Sequence, residues 1–121
     1  MTKILIIEDN EEIATLYQRQ LTHEGYSVSI AANGLIGLAK AKNEYPALIL
    51  LDIVLPKKSG LDVLKDLKKD PKIQMIIVIA ISAFGGEENR KQVLALGAVS
   101  FIEKELVEPA DVAREVKKFL T

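Results

Sequence analysis

Short apolar runs alternate along this chain with longer segments of helical period. Ile4 to Ile7 is apolar without interruption and ends at Glu8-Asp9, the pattern of a strand buried on both faces. Ile13, Leu16, Tyr17 and Leu21 then keep the spacing of one helix face. Glu11 and Glu12 suit the start of that helix and Gly25 its C-terminal cap, and Leu16 and Tyr17 are expected in the core. Tyr26 to Ala31 is a less apolar strand, nearer a sheet edge, and Leu35 to Lys42 a short helix. Ala47 to Leu51 is a third buried strand, ending on an acid, Asp52. Leu61, Leu64 and Leu67 stripe a helix that stops near Asp70-Pro71. Met75 to Ile81 is the most hydrophobic run and is expected as a central strand. Gly85-Gly86 precedes a helix through Val93, Leu94 and Leu96, closed by Gly97. Ala98 to Ile102 is the fifth strand, and Pro109 opens a last helix with Val112, Val116, Phe119 and Leu120 on one face.

Five strand-helix units in succession predict an α/β fold: a doubly wound parallel sheet with helices on both faces. At 121 residues the chain makes one domain, residues 1–121, with room for a real core. A net charge of -1 gives no electrostatic reason to expect nucleic acid or an anionic membrane as partner. The absence of cysteine excludes disulfides, thiolate metal sites and cysteine nucleophiles. The run from Met75 to Phe84 is broken by Ser82 and far too short for a membrane span. Met1-Thr2-Lys3 leads straight into the first strand, which leaves no room for a signal peptide. A soluble, cytoplasmic protein is expected.

Strands one, three, four and five carry polar residues at or just past their ends: Glu8-Asp9, Asp52, Ser82 and Lys104. Ligands of open α/β sheets bind outside the carboxyl ends of the strands, and parallel strands bring these residues to that one edge. Two like charges about 4 Å apart repel by roughly 4 kcal/mol at an effective dielectric near 20. Three acids there need a proton or a cation, and Lys104 neutralises only one charge. An all-oxygen ligand set with open water positions suits magnesium better than zinc. Magnesium beside a carboxylate, a lysine and a hydroxyl suits phosphoryl transfer, with the carboxylate as nucleophile. Taken singly each residue has a plain role: Glu8, Asp9 and Asp52 at helix starts, Ser82 at a strand end, Lys104 on the surface. Their joint appearance on four strand ends favours a site.

The chain resembles the receiver domain of two-component response regulators, of the single-domain, chemotaxis-regulator-like kind. The resemblance rests on Glu8-Asp9, on Asp52-Ile-Val-Leu-Pro56 with Gly60, on Ser82-Ala83 and on Phe101-Ile-Glu-Lys104, and it covers essentially the whole chain. It implies a flavodoxin-like (βα)5 three-layer sandwich with strand order 2-1-3-4-5. It implies Asp52 as phosphoacceptor, with Mg2+ held by Asp9, Glu8, Asp52 and the Val54 carbonyl, and with Mn2+ able to substitute. Ser82, next to Ala83, becomes the switch hydroxyl, Lys104 the phosphate-pairing lysine, and Phe101 the aromatic that changes rotamer with Ser82. Implied partners are a sensor histidine kinase or histidine phosphotransfer protein, and a downstream protein target or an output domain. A dimer formed on phosphorylation is compatible with it. Direct nucleic-acid binding and membrane association are not implied. Such a protein is a switch that assists its own phosphotransfer and dephosphorylation, not a dedicated enzyme.

Two departures stand out. Glu105 occupies the position after Lys104 where the family usually has proline, often across a cis bond. A cis bond to a non-proline residue costs a few kcal/mol, so trans is expected here. Serine replaces the commoner threonine at position 82 and keeps the hydroxyl. Val54 and Phe84 lie two residues beyond Asp52 and Ser82, positions that flank the path of the hydrolytic water in the family. Both are apolar, which implies slow self-dephosphorylation. The rival readings are a receiver-like module that binds without phosphorylation, an aspartate-nucleophile phosphatase, and a flavin or nucleotide binder. The phosphatase needs a second acid at position 54, which is Val, and no glycine-rich phosphate loop follows strand one. His23 reads as a dipole-compensating residue near a helix end, and the lysines from 57 to 72 as a solvated helix face interleaved with Asp62, Asp66 and Asp70.

Overall fold

The computed structural model describes residues 1–83 and 85–120. Its elements are β1 (Lys3–Ile7), α1 (Glu11–His23), β2 (Ser27–Ala31), α2 (Gly34–Glu44), β3 (Leu48–Asp52), α3 (Gly60–Lys69), β4 (Ile77–Ser82), α4 (Glu87–Ala95), β5 (Ser100–Glu103) and α5 (Pro109–Leu120). Every strand pair is parallel, and the sheet order is β2-β1-β3-β4-β5. The expected flavodoxin-like three-layer sandwich is the fold observed.

Strand alternation divides the core into two layers. Ile4, Ile6, Leu48, Leu50, Ile79, Ile81 and Ile102 face Ala14, Tyr17 and Leu21 of α1 and Val112, Ala113 and Val116 of α5. Leu5, Ile7, Ile49, Leu51, Val78, Ala80 and Phe101 face Ala41 of α2, Val63, Leu64 and Leu67 of α3, and Val93 of α4. β3 lies in the middle with all five residues buried, which is why its run shows no polar alternation. Side-chain oxygens start three of the helices: Asn10 accepts from the Ile13 N–H, Asn33 from Ile36 and Ser59 from Asp62. Gly25, with φ 98°, ends α1 in the left-handed conformation that glycine adopts without strain.

Several expectations need correction. Met75 is outside β4 and 80% exposed, because residues 71–76 form turns. Lys68 pins those turns by donating from Nζ to the carbonyls of Gln74 and Ile76 at 3.0 and 2.9 Å. β5 begins at Ser100, not Ala98. Leu16 is 49% exposed, since the face α1 buries runs through Ala14, Tyr17 and Leu21. In α4 only Val93 is buried, and Leu94 lies on its outer side. Among the described residues, no helix is long and apolar enough to cross a membrane.

Candidate functional site

The register of the parallel sheet sets the site. Ile7 pairs with Leu51, and Asp52 with Ile81, so the ends of β1, β3 and β4 finish level. Glu8 follows β1, and its backbone N–H continues the ladder to the Ala31 carbonyl of β2 at 3.0 Å. Glu8 and Asp52 are 1% and 2% exposed, while Asp9 faces solvent. Carboxylate oxygens of Glu8, Asp9 and Asp52 all lie within 4.8 Å of one another.

One cation reaches the buried pair. Lys104 Nζ donates to Asp52 Oδ2 at 2.8 Å and lies 2.5 Å from Glu8 Oε1. The second contact is a close ion pair to a buried carboxylate oxygen. Backbone amides take the other oxygens: Asn10 N–H donates to Glu8 Oε2 at 3.1 Å and Val54 N–H to Asp52 Oδ1 at 3.0 Å. Burial pushes the Glu8 carboxyl up to about 7; Lys104 opposes that rise and Asp52 adds to it. Burial works against the charge on Lys104, but its bonds to Asp52 and Glu8 outweigh it and raise its pKa.

The expected residues fall into two groups. Glu8, Asp9, Asp52, Val54, Ala83 and Lys104 line one cavity of about 290 Å³, with Asn10 and Ile13 completing it. Ser82 ends β4 and is 2% exposed, one strand over from Asp52. Phe101 is apart from the acids: it is buried in the α2–α3–α4 core layer and also lines a cleft of about 660 Å³ against α5. Phe84 lies outside the described residues. No described peptide bond is cis, so Lys104–Glu105 is trans as expected, and Lys104–Leu106 winds into a single 3-10 turn. Reading the sequence missed Asn10, whose amide holds Glu8 while its side chain starts α1. Its signal was there: an Asn just ahead of two glutamates at a helix start.

The donor set fits a divalent cation. Three carboxylates lie within 4.8 Å of one another and share one ammonium, that of Lys104. All the donors are oxygen, as a hard cation prefers.

The family model for the response regulator receiver domain matches residues 4–117. The chain belongs to the receiver-domain family. It is 36% identical over 121 residues to the polar-differentiation response regulator DivK of Brucella abortus, covering 99% of this chain and 98% of that protein. It is 39% identical over 102 residues to the response regulator PleD of Caulobacter vibrioides, covering 84% of this chain and 22% of PleD. The chain thus spans about a fifth of one curated relative and nearly all of another. A CheY-like receiver domain from Methanospirillum hungatei superimposes with a TM-score of 0.88 at 34% identity, covering 98% of this chain and 92% of that one. The Mn2+-bound response regulator Rcp1 superimposes at 0.86 and 26% identity, covering 99% and 94%. The acidic cluster, able to chelate a divalent cation, is a receiver active site of the kind that serves phosphorylation-based signalling. Receivers are switches, not dedicated enzymes.

Proposed function

We propose that this receiver is switched by a phosphoryl group on Asp52, taken from the phosphohistidine of a sensor kinase or histidine phosphotransfer protein. The observation that carries the reading is the arrangement around Asp52. It is a buried carboxylate with Lys104 on one oxygen, the Val54 amide on the other, and two further acids within metal-ligand distance. In the transfer an Asp52 oxygen forms a bond to phosphorus as the P–N bond to the donor imidazole breaks. The imidazole keeps that electron pair and takes up a proton. Glu8, Asp9, Asp52 and the Val54 carbonyl would hold Mg2+, or Mn2+ in its place, which supplies charge neutralisation for the phosphoryl oxygens. Lys104 neutralises another of those oxygens, and the Ser82 hydroxyl, beside Ala83, donates to a third.

Drawing Ser82 toward Asp52 leaves room that the Phe101 ring can enter. The cleft lined by Phe101, Arg90 and Arg114 lies on the α4–β5–α5 surface, where a downstream protein or output domain would read the change. Phosphorylation thus favours one of two pre-existing arrangements. The reading places the protein in the cytoplasm with its phosphodonor. Val54, half exposed in the cavity wall, guards the approach of water, so Val54→Asn should shorten the phosphoryl lifetime.

Acetyl phosphate or phosphoramidate with Mg2+ should add one phosphoryl mass to the intact protein and none to Asp52→Asn. Folded wild-type protein that gains no mass overturns the proposal and leaves a binding module that works without phosphorylation.

A further inference from the structure

β4 lies between β3 and β5, so the loop that leaves its end can be drawn either way. On the β3 side stands Asp52, paired in register with Ile81. On the β5 side stands Glu103, the register partner of Ser82. The Glu103 side chain reaches across the loop. A Cβ built on Gly85 would lie 2.2 to 2.4 Å from the Glu103 carboxyl carbon and oxygens, so that carboxylate fills the space glycine leaves. Glu103 Oε1 also accepts from the Gly86 N–H at 3.4 Å. From the other side Asn89 Nδ2 donates to the Gly85 carbonyl at 3.2 Å. Gly86, with φ 107°, starts α4 without a side-chain cap, and among the described residues Glu103 is a β5 group that ties this helix entrance to the sheet.

We infer that Glu103 is a positioning residue: its carboxylate holds the β4–α4 loop toward β5 in the unphosphorylated protein and opposes the inward movement of Ser82. The inference rests on the proposed switch at Asp52. A phosphoryl group there draws the loop toward β3, away from Glu103, so the arrangement with Ser82 inward forgoes this hold. Weakening the hold shifts the population toward that arrangement before any phosphoryl group arrives.

Hydrogen exchange of α4 in the unphosphorylated protein, combined with initial rates of labelling by acetyl phosphate and Mg2+, tests this. Gly85 is not in a left-handed conformation, so Gly85→Ala alters space and not backbone strain. Glu103→Ala and Gly85→Ala should each speed exchange at residues 90–93 and labelling by about two- to tenfold, the range for loss of one modest hydrogen bond. Glu103→Gln keeps the acceptor oxygen and loses the charge, and should stay within about twofold of wild type. The double variant Glu103→Ala with Gly85→Ala should gain little over either single change, because both open the same contact. If Glu103→Gln behaves like Glu103→Ala, the effect is charge beside Lys104 and the inference fails. Additive singles, or unchanged exchange at 90–93, overturn it too. Wild-type protein that takes no phosphoryl group would instead sink the Asp52 reading, while the exchange data still judge the latch.

Discussion

The exits of β3 and β4 lie side by side at the same sheet edge, yet they are built differently. After Asp52 the chain is locked. Ile53 N–H donates to the Ile81 carbonyl and Gly60 N–H to the Ile53 carbonyl, both at 2.9 Å. Ser59 then caps α3, which buries Gly60, Val63, Leu64 and Leu67. After Ser82 the described residues show fewer such ties. Ala83 is exposed, a long hydrogen bond from Gly86 reaches Glu103, and α4 starts uncapped and buries only Val93. On the proposed switch, the carboxylate that takes the phosphoryl group sits on the more heavily bonded exit, and the hydroxyl that moves sits on the other. Local stability follows buried contacts, so the difference is a division of labour written in packing.

The largest expected effect sets Gly60 against Gly85. A Cβ at position 60 would meet the Asp52 carbonyl oxygen at 2.3 Å and the Ile53 Cα at 2.5 Å, both backbone. Gly60→Ala should therefore destabilise the protein by about 1–3 kcal/mol or more, lowering Tm by roughly 4 °C for each kcal/mol. Acetyl phosphate labelling should slow as well, because the strained atoms carry Asp52. At position 85 the clash is with the far end of the Glu103 side chain, which can swing away. Gly85→Ala should change global stability by no more than about 0.5 kcal/mol. Equal losses of Tm would mean that both exits are rigid, and the comparison would be wrong.

Much of this was legible in the sequence, because parallel topology converts an order of strand ends into a cluster. Once Ile4–Ile7, Ala47–Leu51 and Met75–Ile81 read as buried strands, Glu8, Asp52 and Ser82 had to meet. Hydropathy alone does not rank the interior strands, since β1, β3 and β4 are all buried on both faces. It could not see that Met75 is outside, because a lysine at position 68 organises the turn that excludes it. Leu16 fits helical spacing but misses the narrow stripe set by Ala14, Tyr17 and Leu21. Glu103 was visible only as a letter before Lys104. Its contact with Gly86 spans 17 positions, and no local pattern reports it.

The acidic cluster also carries a pH signature. Glu8 titrates near its ordinary 4.5 when unfolded and at about 7 in the folded, metal-free protein. Between those values the folded chain holds the proton more tightly, so stability is greatest below the lower one and is lost as pH rises through the upper. The loss should be on the order of 1–3 kcal/mol. Chemical denaturation at pH 5 and pH 8 (about the two ends of that range) should show it in wild type and not in Glu8→Gln. Added Mg2+ should restore stability at the higher pH, where Glu8 is ionised, and do little at the lower. The same pH slope in Glu8→Gln would remove Glu8 from the account.

The smallest effect decides why α3 and α4 differ. Two causes are available: α3 has a side-chain cap and α4 has none, or α3 is packed and α4 is not. The Ser59 Oγ accepts from Asp62 N–H at 3.2 Å, and losing such a cap costs about 1 kcal/mol. Burying one Val or Leu side chain stabilises by roughly 1.5–3 kcal/mol, and α3 buries Val63, Leu64 and Leu67 where α4 buries Val93 alone. Packing should therefore dominate. Ser59→Ala should speed amide exchange in α3 by about fivefold, the equivalent of 1 kcal/mol. Even so, α3 without its cap should exchange more slowly than α4 does in the wild type. Should its protection fall to the α4 level instead, the cap and not the core makes the β3 exit rigid. Lability at α4 would then be a missing hydrogen bond that one substitution could supply, not a property of the whole helix.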